Sequence, residues 1–210
     1  MDWRVSDEDL TALGERVVAG SGGLIAGFEI AYGELNVKAH AHQIIEVLTT
    51  LRDTPGLEFH QMVELCGADY PQRPLRFDIV YHLLSMTQNR RIRVSVQTDE
   101  DTPVPSVAGV FPCANWFERE AFDMYGVFFS DHPDLRRLLT DYGFHGHPLR
   151  KDFPMTGYVE VRYDDELKRV IYEPVKSVEF RSWDFMSPWE GADYGPPGAP
   201  KGAPKPEAAS

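Results

Sequence analysis

Arg76–Met86, RFDIVYHLLSM, and Arg90–Thr98, RRIRVSVQT, are two strand-like runs separated only by Thr87-Gln88-Asn89, a step compatible with a tight turn. An antiparallel pair is therefore expected at the centre of the chain. Upstream, Leu57–Tyr70 (LEFHQMVELCGADY) reads as one strand, or two around a bend. Before it the period changes. Ile44, Ile45, Val47, Leu48 and Leu51 fall on one helical face from Ala41 onward, and Pro55-Gly56 ends that helix. Leu24–Tyr32 is apolar and β-prone, and Gly33-Glu34 can turn it into Leu35–Ala39, which predicts a hairpin. At the N-terminal end, Ser6-Asp7-Glu8-Asp9 has the form of a capping box, and Leu10, Leu13, Val17 and Val18 follow at helical spacing until Gly20–Gly23. The order α, β-β, α, β, β-β is that of an α+β domain, a mixed and mostly antiparallel sheet with helices on one face.

Downstream, Pro103, Pro105 and Gly109 connect this unit to a different kind of sequence. Asn115–Gly126 reads as a short helix: Asn115 can cap it with Glu118 answering, Arg119 can pair with Asp123 one turn on, and Gly126 can end it. Trp116, Phe117, Glu120, Phe122 and Met124 leave that helix few sides for water. Asp131 or His132 before Pro133, with Leu135, Leu138 and Leu139, suggests a second helix. Asp141–Pro154 is too irregular for ordinary core structure. The last twenty residues, GADYGPPGAPKGAPKPEAAS, cannot bury enough apolar surface to offset their ordering entropy. The organisation expected is an α+β domain over 1–110, a partner-wrapping segment over 111–190 that forms an extended, irregular arm, and a Pro/Gly/Ala-rich tail over 191–210.

The bulk numbers narrow the function. Hydrophobic residues make up 42% and charged residues 26% of 210 residues, as in a soluble globular protein. No run approaches the ~18 apolar residues of a membrane-spanning helix. A net charge of −12 disfavours nucleic acid and anionic lipid and suits a basic protein partner. Cys66 and Cys113 form no CxxC, which argues against an iron–sulfur or cysteine-based zinc site and for two buried, reduced thiols. The acidic N-terminus resembles neither a secretory signal nor a transit peptide, which leans toward a bacterial source. Gly20-Ser21-Gly22-Gly23 lacks the Walker lysine and the GxGxxG spacing, so it reads as a helix stop.

The run from Glu118 to Leu139 carries Glu118-Arg119-Glu120, then Asp123, His132, Arg136 and Leu138-Leu139. It is followed by LTDYGFHGHPLRKDFP (139–154), GYVEVRYD (157–164), YEPV (172–175) and FRSWDFMSPWEG (180–191). In register, these blocks resemble the C-type subunits, the 30-kDa-type family, of the proton-pumping NADH:quinone oxidoreductase (respiratory complex I). The resemblance implies a non-catalytic component of the hydrophilic arm, with no catalytic, cofactor or metal residue of its own. It implies packing mainly against the large D-type subunit and near the B-type subunit, on the cytoplasmic face of a bacterial inner membrane or the matrix side of an organelle. FMN, the iron–sulfur clusters and the quinone pocket are then expected in partner subunits. Family-signature and partner-contact positions would be Glu118, Arg119, Glu120, Asp123, His132, Arg136, Arg150, Lys151, Asp152, Arg162, Tyr163, Glu173, Pro174 and Arg181. The physical role would be to hold quinone-reducing subunits in position.

Arginines at 136, 137, 150, 162 and 181 alternate with Phe144, Phe153, Tyr158, Tyr163 and Trp183, the composition of a protein interface. Two other readings stay open. Glu118, Glu120 and Asp123 could serve acid–base chemistry, and His132, His145 and His147 with Asp131 and Asp141 could hold a metal in a free-standing hydrolase. The chain could also be the equivalent subunit of a membrane-bound hydrogenase or ferredoxin-linked complex.

Overall fold

Five strands form one twisted sheet in the order β1-β2-β5-β4-β3, in a computed structural model that describes residues 5–176. The elements are α1 (Asp7–Gly20), β1 (Phe28–Ala31), β2 (Glu34–Ala39), a 3-10 turn (Ala41–Gln43), α2 (Ile44–Asp53), β3 (Gln61–Asp69), β4 (Phe77–Ser85) and β5 (Arg90–Thr98). Then come β6 (Val104–Pro105), α3 (Ala114–Tyr125), β7 (Phe129–Ser130), β8 (Val159–Asp164) and β9 (Arg169–Pro174). The two central runs pair in full antiparallel register from Phe77 opposite Thr98 to Ser85 opposite Arg90. Asn89, with φ 48°, takes the left-handed turn position that asparagine tolerates. One join, β2 with β5, is parallel, so the sheet is mixed and mostly antiparallel as expected.

Strand alternation sets which face is buried. Phe77, Ile79, Tyr81 and Leu83 of β4 face inward with Ile92, Val94 and Val96 of β5 and Leu35 and Val37 of β2. Leu10, Leu13 and Val17 of α1 and Ile44, Val47, Leu48 and Leu51 of α2 complete the same core. The opposite face carries Glu64, His82 and Arg93 in one cross-strand row, with Glu64 and Arg93 exposed. Ser6 caps α1, its hydroxyl accepting from the Asp9 N–H at 3.1 Å, a bond of about 1 kcal/mol. α3 lies along the edge strand β3. Gly67 permits this close approach, since a Cβ there would stand 2.6 Å from the Tyr125 ring. Val104, Val107, Phe111, Ala114, Ala121, Val127 and Phe129 thus join the core.

The structure corrects several local expectations. The β1–β2 turn is Tyr32-Gly33, both at positive φ, rather than Gly33-Glu34. Of the two readings of Leu57–Tyr70, the single strand holds, over Gln61–Asp69 and irregular between Met62 and Glu64. Ile45 turns outward from α2. Trp116 and Glu120 are exposed on α3, because its inner face is filled by Glu118, Ala121 and Met124. Cys113, just before α3, is exposed, and Cys66, opposite Val80 on β3, is only half-buried. The helix expected after Pro133 does not form; the amides of Leu138, Leu139 and Thr140 turn to a carboxylate of α3 instead. Within the expected arm, β8 and β9 make a two-stranded hairpin; Arg181 and the 191–210 tail lie outside the described residues.

Candidate functional site

The signature positions from Glu118 to Arg136 gather on and around α3. Its N-terminus is not capped by Asn115: the helix begins at Ala114, and Cys113 makes no side-chain cap. Its C-terminus is closed by Gly126 in the left-handed conformation (φ 78°), whose N–H bonds the Phe122 carbonyl. A Cβ at Gly126 would stand 2.6 Å from Arg150 and His147, so glycine is required there twice over.

Glu118, released from any capping role, is fully buried. Its Oε2 accepts from the Ser106 hydroxyl at 2.6 Å and its Oε1 from the Val107 N–H at 2.7 Å. Burial raises its pKa, opposed by those two bonds and by nearby His132. The His132 Nδ1 accepts from the Asp134 N–H at 3.0 Å. The ring proton therefore sits on Nε2, 3.0 Å from the Asn115 carbonyl. Both ring nitrogens are committed.

Asp123 does not pair with Arg119. Its Oδ2 accepts from the N–H groups of Leu138, Leu139 and Thr140 at 3.0, 2.8 and 2.9 Å. Its Oδ1 accepts from the Thr140 hydroxyl at 2.7 Å and from Arg137 at 2.9 Å. Three successive amides aimed at one oxygen make an anion-holding concavity. Residues 138–140 cannot meet that geometry as a regular helix, which is why the second helix is absent. Burial pushes the Asp123 carboxyl upward, but the bonds from Thr140, Leu139 and Leu138 outweigh it and hold the pKa at about 2. Its backbone carbonyl accepts from the His147 Nδ1–H at 2.9 Å, and burial lowers the pKa of that imidazole.

A third knot ties the irregular segment to the sheet edge. Arg76 grips Asp69 with two bonds of 2.6 and 2.8 Å and also reaches Asp152 and Glu100. Asp69 accepts from the Lys151 N–H at 2.7 Å. Arg150 donates to the Tyr125 carbonyl at 2.6 Å and to Glu100 at 3.2 Å. The Arg76 bonds, first among several causes, lower the pKa of Asp69 and of Asp152.

The remaining signature positions divide between interior and surface. Arg119 is buried and donates to the carbonyls of Arg136 and Arg137 at 3.1 and 3.3 Å. The Arg136 side chain is on the surface with Asp134 at 2.8 Å. Glu120 is exposed. Arg162 pairs with Glu173 across β8–β9; Tyr163 is exposed, and Pro174 ends β9. Ser106, Thr140, Asp69, Arg76 and Glu100 were not singled out as site residues from the sequence, and Arg137 was read only as an interface arginine. Each meets its partner across a loop or strand junction, where no local spacing signals it.

The histidines offered as metal ligands are not brought together, since His132 and His147 serve separate carbonyls and His145 is exposed. Among the described residues, no group of three His, Cys, Asp or Glu side chains is arranged to hold a metal. Asp123 and Asp152 are instead struts that fold an irregular segment onto an α+β domain, the design of a structural component. The chain belongs to the family of the 30 kDa subunit of respiratory-chain NADH dehydrogenase, whose model matches residues 37–159. It is 69% identical to the C-type subunit of the NADH-quinone oxidoreductase of Phenylobacterium zucineum (strain HLK1), over 93% of this chain and 92% of that one. To the protein of the same description from Parvibaculum lavamentivorans (strain DS-1 / DSM 13023 / NCIMB 13966) it is 64% identical, over 93% and 98%. The fold is shared with a chain of the membrane-bound sulfane sulfur reductase, an archaeal respiratory membrane complex, at TM-score 0.60 and 21% identity, over 71% of this chain and 87% of that one.

Proposed function

We propose that this chain is the C-type component of an NADH:quinone oxidoreductase and has no catalytic centre of its own. The observation that carries this is the 69% identity to a C-type subunit, sustained over nine-tenths of both chains. The chain acts as a scaffold of the peripheral arm. It holds the quinone-reducing module against the large D-type subunit, with the B-type subunit nearby, at the cytoplasmic face of the bacterial inner membrane. FMN, iron–sulfur clusters and quinone belong to the partner subunits.

Two features of the structure support a scaffolding role. Of the three signature acids that could do chemistry, Glu118 and Asp123 are buried and consumed by internal hydrogen bonds. The β8–β9 hairpin presents Val159, Val161, Tyr163, Val170 and Tyr172 on one face, each more than half exposed, with Arg162, Asp164 and Glu173 on the other. A lone two-stranded hairpin with an apolar face is marginal in water and is stabilised by a partner. Also, no described helix is long and apolar enough to cross a membrane.

The test is an affinity pull-down from detergent-solubilised membranes, with NADH:quinone activity, flavin and iron assayed on the eluate. A large active assembly is expected, with none of these on the chain alone. Recovery of the chain alone with a stoichiometric metal would sink the reading and favour the free-standing hydrolase. The shared fold with the sulfane sulfur reductase chain keeps a second reading, the equivalent subunit of a related membrane-bound complex. An eluate of a membrane complex without NADH:quinone activity would favour it.

A further inference from the structure

Arg119 is 4% exposed, yet among the described residues no carboxylate lies within ion-pair distance of it. Its two hydrogen bonds go to neutral main-chain carbonyls, from Nε and Nη2, and leave Nη1 without a partner among these residues. Nearby carboxylates are already engaged: Asp123 by Arg137 and three amides, and Asp134 by Arg136. Buried charges in proteins are ordinarily paired. Arg119 also lines an open cleft of about 400 Å³, with Arg136 and Arg137 in its wall together with the exposed acid Asp141. Trp116, 67% exposed, Leu139 and Tyr142 line the same cleft and present their apolar surfaces to water.

We propose that this cleft receives an aspartate or glutamate side chain of a neighbouring subunit, with Arg119 as its counter-ion and Trp116 and Tyr142 closing around the incoming segment. The inference builds on the functional reading above. A buried guanidinium whose electrostatic partner, Asp134, is already bonded to Arg136, and whose Nη1 has no partner among the described residues, supplies the attraction for a further carboxylate. The aromatic mouth points to a protein as the source of that carboxylate. A small free anion would leave Trp116, Leu139 and Tyr142 wet, whereas exposed Trp, Tyr and Arg together are the composition of interface hot spots. The net charge of −12 disfavours an anionic lipid surface as the alternative source.

The test places the photo-crosslinker p-benzoylphenylalanine at position 142 of the tagged full-length chain and irradiates the assembled complex in cells. The crosslinked peptide should belong to another subunit and carry Asp or Glu within a few residues of the attachment point. In parallel, Trp116→Ala and Tyr142→Ala should leave the melting temperature of the isolated chain unchanged. Both should lower recovery of partner subunits after a high-salt wash by about tenfold, the scale of one hot-spot residue. Arg119→Met should do the same or more, although its lost carbonyl bonds make it the less clean variant. Crosslinks confined to residues 177–210 of this chain, to lipid, or to nothing would overturn the proposal. So would undiminished recovery with both aromatic variants. A wild-type eluate lacking NADH:quinone activity would instead count against the functional reading, and the crosslink would still report whether a carboxylate-bearing segment fills the cleft.

Discussion

Asp123 shows how one side chain organises the signature segment. Five donors converge on its two oxygens, so truncation leaves three amides and the Arg137 guanidinium short of an acceptor. Asp123→Ala is expected to lower stability by about 3–5 kcal/mol, read from chemical denaturation. The charge also sets a pH dependence. The folded pKa is about 2 against an ordinary 3.8, so the carboxylate stabilises the fold above about pH 4, and this contribution fades as the pH falls toward 2. Asp123→Ala should therefore flatten the acid limb of the stability profile between pH 4 and 2; an unchanged limb would assign it to other carboxylates. Glu118 has the opposite sign, because burial raises its pKa and the fold disfavours its ionised form. Glu118→Gln keeps an acceptor for Val107 and should change stability by less than about 1 kcal/mol, whereas Glu118→Ala should cost about 2–4 kcal/mol, measured side by side by thermal melting. The sequence pointed to Glu118, Arg119, Asp123 and His132 but assigned the wrong partners to three of them. Helical spacing sees only neighbours one turn away, while Asp123 meets Thr140 across 17 residues and His132 meets Asn115 across the same interval.

Among the elements, those whose own periodicity and end signals agree were legible. The Ser6 cap, the α2 apolar face and the β4–β5 pair appear where their residues place them. The helix expected after Pro133 fails because propensity is a weak prior against a buried carboxylate that recruits the same amides. The β8–β9 hairpin was read as part of an extended arm. Its alternation of Val159, Val161 and Tyr163 with Glu160, Arg162 and Asp164 is a strand pattern, but nothing in the chain declares what covers the apolar face. Such a hairpin should open locally at low cost when its partner is missing. In the isolated chain, trypsin is expected to cut first near Lys168 and Arg169, in and beside the exposed turn where Lys168 has φ 52°. The same bonds should be protected in the purified oxidoreductase. Equal cleavage rates in the two samples would show that the hairpin is not an interface element.

For the whole molecule, composition excluded functions but identified none, and the fold by itself is compatible with more than one respiratory complex. The function was legible only because a long series of blocks, from Glu118 to Gly191, stands in the register of one family. Its physical meaning came from the structure. The segment after α3 is pinned to α3 at Asp123 and to the sheet edge where Asp69 and Arg76 hold Lys151 and Asp152, which fixes the direction in which the hairpin leaves. Loosening one pin should then act on assembly before it acts on chemistry. In membranes carrying Asp123→Ala as the sole copy, the amount of assembled oxidoreductase, quantified by native gel and bound flavin, should fall several-fold. Turnover per assembled complex should stay within about twofold of wild type, because the proposed function places the reacting groups in other subunits and has partners hold the segment in complexes that do assemble. The reverse result, normal assembly with turnover lost, would place Asp123 in the catalytic or gating machinery and refute the scaffold reading. A fall in both would show that a misplaced segment also displaces the quinone-reducing subunits, in which case turnover should recover together with assembly when a second substitution restores the stability of the isolated chain.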